Sequence, residues 1–278
     1  MSGKLSQEQK EAFKRDGFLV VKNVYTQDEV DDINQEYKKI WMDKIREGKI
    51  VQDPYNPIGS LFPRLHDYHR ENKAILNYIL KPEAIEVLEE LVGEEVLVIS
   101  GNYIYKGPGT GESPIHQDNY SIGVANDTTY AIFVCLDDCD EENGCLQFAR
   151  GSQEMDLQSP KIDTDDIVKY FSDAGQEVEI PEKYEIINAI AARGDIVIFD
   201  GNVLHGSKKN TSTNRFRRSL LTFFAKASIE RITMNFNQLI NKKGERVRKR
   251  LNTAPKITEN KGLFTFKDAD YYKHNGWK

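Results

Sequence analysis

The chain has 278 residues, of which 39% are hydrophobic and 29% are charged, and its formal net charge is −6. This length suits one large domain with a sizeable core or two small ones. The negative charge gives no electrostatic reason to expect nucleic acid as a partner, and no apolar run is long enough to cross a bilayer. One basic run, residues 242–250, indicates a solvated helix face or loop, or alternatively a site for an anionic group.

The two ends of the chain and its cysteines indicate the cellular compartment. The first residues lack the charged-then-apolar pattern of a signal peptide, and the last residues are not the Ser-Lys-Leu type of peroxisomal address. Cys135, Cys139 and Cys145 form no CxxC pair and lie in apparent strands. We therefore expect reduced core thiols and a cytoplasmic protein.

The first quarter of the chain has helical patterning. Ser6 is suited to cap a helix that Gly17 ends, and residues 18–24 then read as a strand. Thr26 and Glu29 form the capping box of a second helix. An apolar stripe at helical spacing follows that box, consisting of Val30, Ile33, Tyr37, Ile40 and Trp41.

Two further helical stretches, near residues 71–80 and 83–92, precede a change to β-rich sequence. Short strand-like runs separated by turn signals then occupy residues 94–106, 128–138, 144–149, 194–200 and 217–227. Helices followed by many strands favour an antiparallel sandwich or jelly roll with helices packed outside. Asn143-Gly144 predicts a hairpin, and residues 164–175 a helix within an acidic lid or binding loop.

His116 and Asp118 stand two residues apart after a Gly/Pro-rich turn. If both lie in a strand, they face the same way, and Gln117 points away. An imidazole and a carboxylate on one face make half of a divalent metal site. A plain His–Asp hydrogen bond, or a general base with its orienting partner, fits the spacing equally well.

The chain holds five histidines, so candidates for a third ligand are few. His274 lies near the end and is expected to be exposed, and His66 and His69 fall in a polar stretch that suggests surface or supporting roles. His205 follows a buried strand and a glycine-containing turn, so its ring can reach inward. Two histidines and one carboxylate on neighbouring strands form a facial triad, which binds Fe(II) and leaves positions open. A structural zinc site would require further Cys or His ligands nearby.

A cluster of arginines follows His205. A buried strand seldom begins with arginines unless one of them meets an anion, because an unpaired buried guanidinium is costly. Arg217 and Ser219 share one strand face, so a guanidinium and a hydroxyl are placed to bind one carboxylate, while Arg218 faces solvent or the outer helices. The alternative is that these are ordinary surface arginines at the start of a strand.

Several motifs in a fixed order give the sequence a family resemblance. They are "HQDN" (116–119), the segments 136–152 and 193–207, "FRRSL" (216–220) and the opening segment 5–33. In this order they resemble the phytanoyl-CoA dioxygenase (PhyH)-like family of Fe(II)- and 2-oxoglutarate-dependent oxygenases, over about residues 5–225. Several ordered motifs together are more specific than any one alone.

The resemblance implies a mainly β protein, with a double-stranded β-helix (jelly roll, cupin-like) core and flanking N-terminal α-helices. Residues 1–278 would form a single domain, with a helical part at about 1–93, the core at about 94–227 and a C-terminal extension at 228–278. The resemblance also implies a metal site and a co-substrate site. Iron would be held by His116, Asp118 and His205, and 2-oxoglutarate by Arg217 with help from Ser219 and Asn102. The gap from His205 to Arg217 looks one residue longer than is usual, so Arg218 is an alternative anchor.

The implied activity is hydroxylation of an unactivated C–H bond of a small molecule, using O2 and releasing succinate and CO2. Asp118 favours hydroxylation, because related halogenases carry a small residue at that place. Desaturation or cyclisation uses the same triad, and a cupin-like metal enzyme or a non-catalytic binding module remain alternatives. The substrate class and the oligomeric state are not readable from the sequence.

Overall fold

The computed structural model describes residues 5–158, 178–233 and 236–251. The helices in these ranges are α1 (Gln7–Asp16), α2 (Gln27–Arg46), α3 (Pro57–Leu61), α4 (Lys73–Ile79), α5 (Pro82–Val92) and α6 (Asp118–Ile122). The strands are β1 (Phe18–Val21), β2 (Leu65–His66), β3 (Val96–Lys106), β4 (Ser113–His116), β5 (Thr129–Cys135), β6 (Leu146–Ala149), β7 (Ile186–Ala189), β8 (Ile196–Asp200), β9 (His205–Ser207), β10 (Arg217–Lys226), β11 (Arg231–Ile232), β12 (Leu239–Ile240), β13 (Arg246–Val247) and β14 (Arg250–Leu251). The helix predicted within 164–175 and His274 lie outside the described residues.

The N-terminal helices begin where their capping residues predict. Ser6 and Thr26 each accept a hydrogen bond from the backbone N–H three residues later, and both helices have a complete capping box. Gly17 ends α1 in the left-handed conformation, with φ of 80°, which glycine adopts without strain. The buried face of α2 consists of Val30, Ile33 and Tyr37, as its periodicity predicts.

Two antiparallel sheets form the core. The larger sheet has the order β1-β8-β5-β10-β3-β12-β13, with β2 also paired to β3, and the smaller sheet has the order β4-β9-β6-β7. Their inner faces pack on one another, because Phe148 of β6 lies in one apolar cluster with Phe133 of β5 and Phe199 of β8. The expected jelly roll with outer helices is confirmed.

Alternate residues of the central strands face two different apolar layers. In β5, Ala131 and Phe133 point toward the smaller sheet, while Ile132 and Val134 pack in the same cluster as Ile33 of α2. Because both faces are covered, β5 is buried throughout and shows no polar alternation. The three cysteines are buried free thiols, as expected.

The hairpin predicted at Asn143-Gly144 is wrong. The strands on either side, β5 and β6, belong to different sheets, so the dipeptide lies in a connection that crosses between them. The buried Asn143 holds this connection: its Nδ2 donates to the carbonyl of Asp138 and its Oδ1 accepts from the backbone of Asp140. The dipeptide marks a tight turn, but turn chemistry does not specify which strands pair.

The basic run at 242–250 lies in the exposed turn and strands around β13, so the helical alternative is wrong and the loop reading is confirmed. Lys242 Nζ lies 2.8 Å from Glu95 and 3.3 Å from Glu89. Part of this charge is therefore already met by acidic neighbours. Among the described residues, no helix combines the length and apolar character needed to cross a membrane.

The buried carboxylate of Asp195 joins the N-terminal segment to the core. Its Oδ1 accepts from the backbone N–H of Asn23 (2.8 Å), and its Oδ2 accepts from the backbone N–H of Ala192 (2.7 Å) and from Lys22 Nζ (2.8 Å). These bonds link the residues after β1 to the turn before β8. Such a fully bonded carboxylate is costly to remove, because its donors then remain buried without a partner.

We expect Asp195→Ala to lower the free energy of unfolding by roughly 2–4 kcal/mol, measured by urea denaturation. Lys22→Met is the matched control: the Lys22 side chain is 58% exposed, so its loss should change stability by less than about 1 kcal/mol. Equal losses for the two variants would contradict the role of the backbone N–H bonds.

Candidate active site

His116 and His205 face each other across the smaller sheet. They are direct partners in the β4–β9 pairing, and their ring centroids lie 4.5 Å apart. The Nδ1 of His116 lies 2.8 Å from the carbonyl of Pro114, and the Nδ1 of His205 lies 3.0 Å from the carbonyl of Val203. Because a carbonyl only accepts, each Nδ1 carries a hydrogen, so Nε2 is the nitrogen through which each ring, when neutral, can bind a metal.

Gly206 permits the close approach of these two strands. A Cβ at this position would lie 2.5 Å from the carbonyl oxygen of Ser113 and 3.1 Å from that of Pro114. Any side chain at residue 206 would therefore push β9 away from β4. The glycine next to His205 thus helps to set the separation of the two rings.

Asp118 joins the pair, but not by strand alternation as predicted. It is the first residue of α6, and the chain leaves the strand at Gln117. Asp118 Oδ1 lies 3.4 Å from His116 Nε2, and Asp118 Oδ2 lies 3.6 Å from His205 Nε2. The three side chains meet because a strand turns into a helix at this point, a change that the dipeptide spacing does not reveal.

Gln117, which strand alternation would turn away from His116 and Asp118, is held by two hydrogen bonds. Its side chain is buried, where its Nε2 donates to the carbonyl of Asn202 (2.8 Å) and its Oε1 accepts from the backbone N–H of Gln158 (2.7 Å). It therefore ties the start of α6 to the turn that leads into His205. Sequence reasoning missed this role, since alternation placed Gln117 on the opposite face.

The cluster is a set of acceptors that face one another. The ligand atoms of His116, Asp118 and His205 all lie within 4.8 Å of one another. Asp118 is 5% exposed, and its Oδ2 has no hydrogen-bond partner among the described residues. Two imidazole lone pairs and a buried carboxylate repel one another unless a cation lies between them. The donor set is that of an Fe(II) facial triad.

The protonation state also suits metal binding. The pKa of His205 is lowered to about 4. Burial is the main cause, and it outweighs the raising effect of the Asp118 carboxylate, while the nearby His116 lowers the pKa a little more. Burial raises the pKa of Asp118, but the two imidazoles outweigh it and hold that pKa below its ordinary value. At neutral pH the site therefore presents a neutral His205 ring and a carboxylate, the forms that ligate metals.

Arg217 lies on the inner face of β10, at one end of the barrel interior. It is 3% exposed, its Nη1 donates to Ser219 Oγ (3.0 Å), and its Nε donates to the carbonyl of Gly144 (3.2 Å). Its guanidinium lies 5.0 Å from the centre of the Phe133 ring. Among the described residues, no carboxylate lies within 4 Å of it. A buried arginine without an acidic partner is arranged to receive an anion.

Arg218 points the other way. Its Nη2 and Nε donate to Asp137 Oδ1 (2.6 Å) and Oδ2 (2.8 Å), a two-point pairing on the outer face of the sheet. Its charge is therefore already neutralised. This is the outward orientation expected for Arg218.

Asn102 and the two early histidines occupy distinct places. Asn102 is buried on β3, opposite Leu221, and its Oδ1 lies 2.6 Å from His66 Nδ1. His66 therefore contacts one of the predicted co-substrate residues, in agreement with a supporting role. His69 is buried rather than at the surface, and its ring nitrogens have no hydrogen-bond partner among the described residues.

Two residues near the site, Lys106 and Ser207, were missed. Lys106 is buried on β3 directly opposite Arg217, and its Nζ donates to Ser207 Oγ (3.1 Å). Ser207 follows His205 by two residues on β9, which places it roughly 7 Å further along the same strand face. Strand alternation would have found both, because it places Lys106 on the same face as Asn102 and Ser207 on the same face as His205.

Comparisons with known proteins place this site in a family. The sequence profile of the phytanoyl-CoA dioxygenase (PhyH) family matches residues 13–219. Peroxisomal phytanoyl-CoA dioxygenase of Mus musculus is 24% identical over 247 residues, which cover 83% of this chain and 71% of that protein.

Solved structures share the fold. The structure of EctD from S. alaskensis with 2-oxoglutarate and 5-hydroxyectoine has a TM-score of 0.64 at 20% identity, covering 81% of this chain and 77% of that one. The α-ketoglutarate-dependent carbocyclase SnoK from nogalamycin biosynthesis has a TM-score of 0.63 at 18% identity, covering 81% and 86%. With most of its length matched by the profile, this chain belongs to the phytanoyl-CoA dioxygenase family and is an iron- and 2-oxoglutarate-dependent dioxygenase.

Proposed function

We propose that the protein hydroxylates a C–H bond of a small molecule, with iron held by His116, Asp118 and His205 and 2-oxoglutarate anchored by Arg217. One observation carries this proposal. A cluster of buried acceptors that needs a cation and a buried cation that needs an anion lie inside the same barrel. A metal ion and a carboxylate-bearing co-substrate would satisfy both.

The two histidine ligands would be held in place by the backbone. The Nδ1–H bonds of His116 and His205 to carbonyls fix each ring and direct its Nε2 toward Asp118. Iron bound there supplies oxygen activation, coupled to decarboxylation of 2-oxoglutarate to succinate and CO2. Burial of Asp118 and His205 keeps water from competing at that end of the site.

The co-substrate residues have a clear division of work. Arg217 would bind the far carboxylate of 2-oxoglutarate through charge-assisted hydrogen bonds. Ser219, which already accepts a bond from Nη1, would hold the guanidinium in position. Asn102 lies on the neighbouring strand and would add an amide to the same interior.

Hydroxylation is favoured over the alternatives by the intact carboxylate ligand and by the relatives. The EctD structure contains a hydroxylated compound together with 2-oxoglutarate. Ring closure is the second candidate, because the structurally similar SnoK is a carbocyclase and the same triad serves both outcomes. We further propose that the chain forms one domain, acts in the cytoplasm on a small molecule and does not bind nucleic acid, in keeping with its free buried thiols and its net charge of −6.

Purified protein supplied with Fe(II), 2-oxoglutarate and O2 should form succinate slowly even without its substrate. Asp118→Ala should lower this rate on the order of 100-fold or more, because it removes the charged ligand of the triad. Succinate formation and iron content measure the effect, with the exposed Asp28→Ala on α2 as the matched control. Normal turnover by Asp118→Ala would exclude the ligand assignment, and no succinate from the unmodified protein would favour a non-oxygenase role.

Arg217→Met should raise the apparent KM for 2-oxoglutarate by roughly 10- to 100-fold, as expected for loss of hydrogen bonds to a carboxylate. Arg218→Met is the matched comparison: it removes the ion pair with Asp137 and lowers stability, but should change this KM by less than about 3-fold. Steady-state succinate assays at varied 2-oxoglutarate decide between them. A larger rise in this KM for Arg218→Met than for Arg217→Met would assign the 2-oxoglutarate anchor to Arg218.

A further inference from the structure

Two cations lie side by side in the barrel interior. Lys106 and Arg217 are direct partners in the β3–β10 pairing, and each is 3% exposed. Among the residues that the structure describes, no carboxylate lies within ion-pair distance of either. Burying even one unpaired cation is costly, and placing a second beside it adds repulsion. The arrangement therefore needs an explanation beyond packing.

The backbone is shaped to admit the lysine. A Cβ at Gly144 would lie 2.5 Å from Lys106 Cε and 2.6 Å from the carbonyl oxygen of Lys208, so a side chain there would meet both the lysine and the backbone after β9. Gly144 also has φ of 88°, and its carbonyl accepts the bond from Arg217 Nε. Gly144 therefore contacts both cations: it lies against the Lys106 side chain, and its carbonyl holds the Arg217 guanidinium in position.

The hydrogen bonds of Lys106 use two of the three N–H donors of its ammonium group. Its Nζ donates to the carbonyl of Gly111 (2.7 Å) and to Ser207 Oγ (3.1 Å). An ammonium group has three donors, so one N–H has no partner among the described residues. Both present acceptors are neutral, and neither compensates the charge.

From this geometry we infer that Lys106 is a second cation for the far carboxylate of 2-oxoglutarate, acting beside Arg217 and selecting 2-oxo acids that carry that carboxylate. The inference rests on the proposed function, since it concerns the same co-substrate. One carboxylate oxygen would face the guanidinium, and the other would accept the remaining N–H of Lys106. The anion then compensates the charge of Arg217 and of the protonated Lys106, which no carboxylate among the described residues meets.

Protonation of Lys106 gives the inference a distinct signature. The ionisable groups that face it are Arg217 on β10, Glu112 before β4 and Cys145 before β6. Burial, and then the charge of Arg217, lower the pKa of Lys106 to about 7. A carboxylate bound beside it raises that pKa again. At pH 8 the free protein therefore holds Lys106 largely neutral, and binding takes up a proton, whereas at pH 6 the proton is already present.

The test is calorimetric titration of the anaerobic iron-loaded protein with 2-oxoglutarate, at pH 6 and pH 8, in buffers of different ionisation enthalpy. The unmodified protein should take up about one proton at pH 8 and far less at pH 6. Lys106→Met should abolish the uptake and weaken binding by about 10- to 100-fold. Its affinity for 2-oxobutyrate, which lacks the far carboxylate, should stay within about 3-fold of the original.

Two further variants separate charge from structure. Lys106→Arg should retain part of the preference for 2-oxoglutarate over 2-oxobutyrate, while Lys209→Met, at an exposed lysine after β9, should leave both affinities unchanged. Unchanged 2-oxoglutarate affinity in Lys106→Met, or no proton uptake by the unmodified protein, overturns the inference even if Lys106→Met folds poorly. If the unmodified protein binds no 2-oxoglutarate and forms no succinate, the proposed function itself fails, and the two failures are distinguishable.

Discussion

The active site depends on one constraint, which is that the fold holds three metal-ligating side chains within 4.8 Å of one another. The pairing of β4 with β9 brings two imidazoles face to face, and the start of α6 adds a buried carboxylate whose outer oxygen has no partner among the described residues. Arg64 also acts on this carboxylate, since its charge helps to lower the pKa of Asp118. Two imidazoles and a carboxylate in this arrangement are the donor set of a divalent-cation site.

The remainder of the fold supplies rigidity around this point. Outer helices cover one face of the larger sheet, and its inner face packs on the smaller sheet. The layer beneath the helices is apolar, whereas the space between the two sheets holds polar as well as apolar side chains. Arg217, Lys106, Ser207 and Asn102 all lie there, and their charges and hydrogen bonds are consequently strong.

Patterns of local chemistry were predictable from the sequence, and long-range pairing was not. Ser6 and Thr26 identified two helix starts because capping depends only on neighbouring residues, and the period of two placed Arg217 and Ser219 on one face. Asn143-Gly144 misled because a turn signal does not name the sheet that receives the next strand. Lys106 escaped notice because its meaning comes from Arg217, more than a hundred residues later and adjacent only in the sheet.

Asp118 stands on a separate element from the histidine that precedes it, and this has a consequence for redesign. No strand pairing passes through residue 118, so truncating its side chain would leave the sheet hydrogen bonds of β4 and β9 in place. The vacancy would be small and flanked by two imidazoles. A halide or formate ion fits such a vacancy in size and charge, which makes this position a natural starting point for supplying the third ligand from solution.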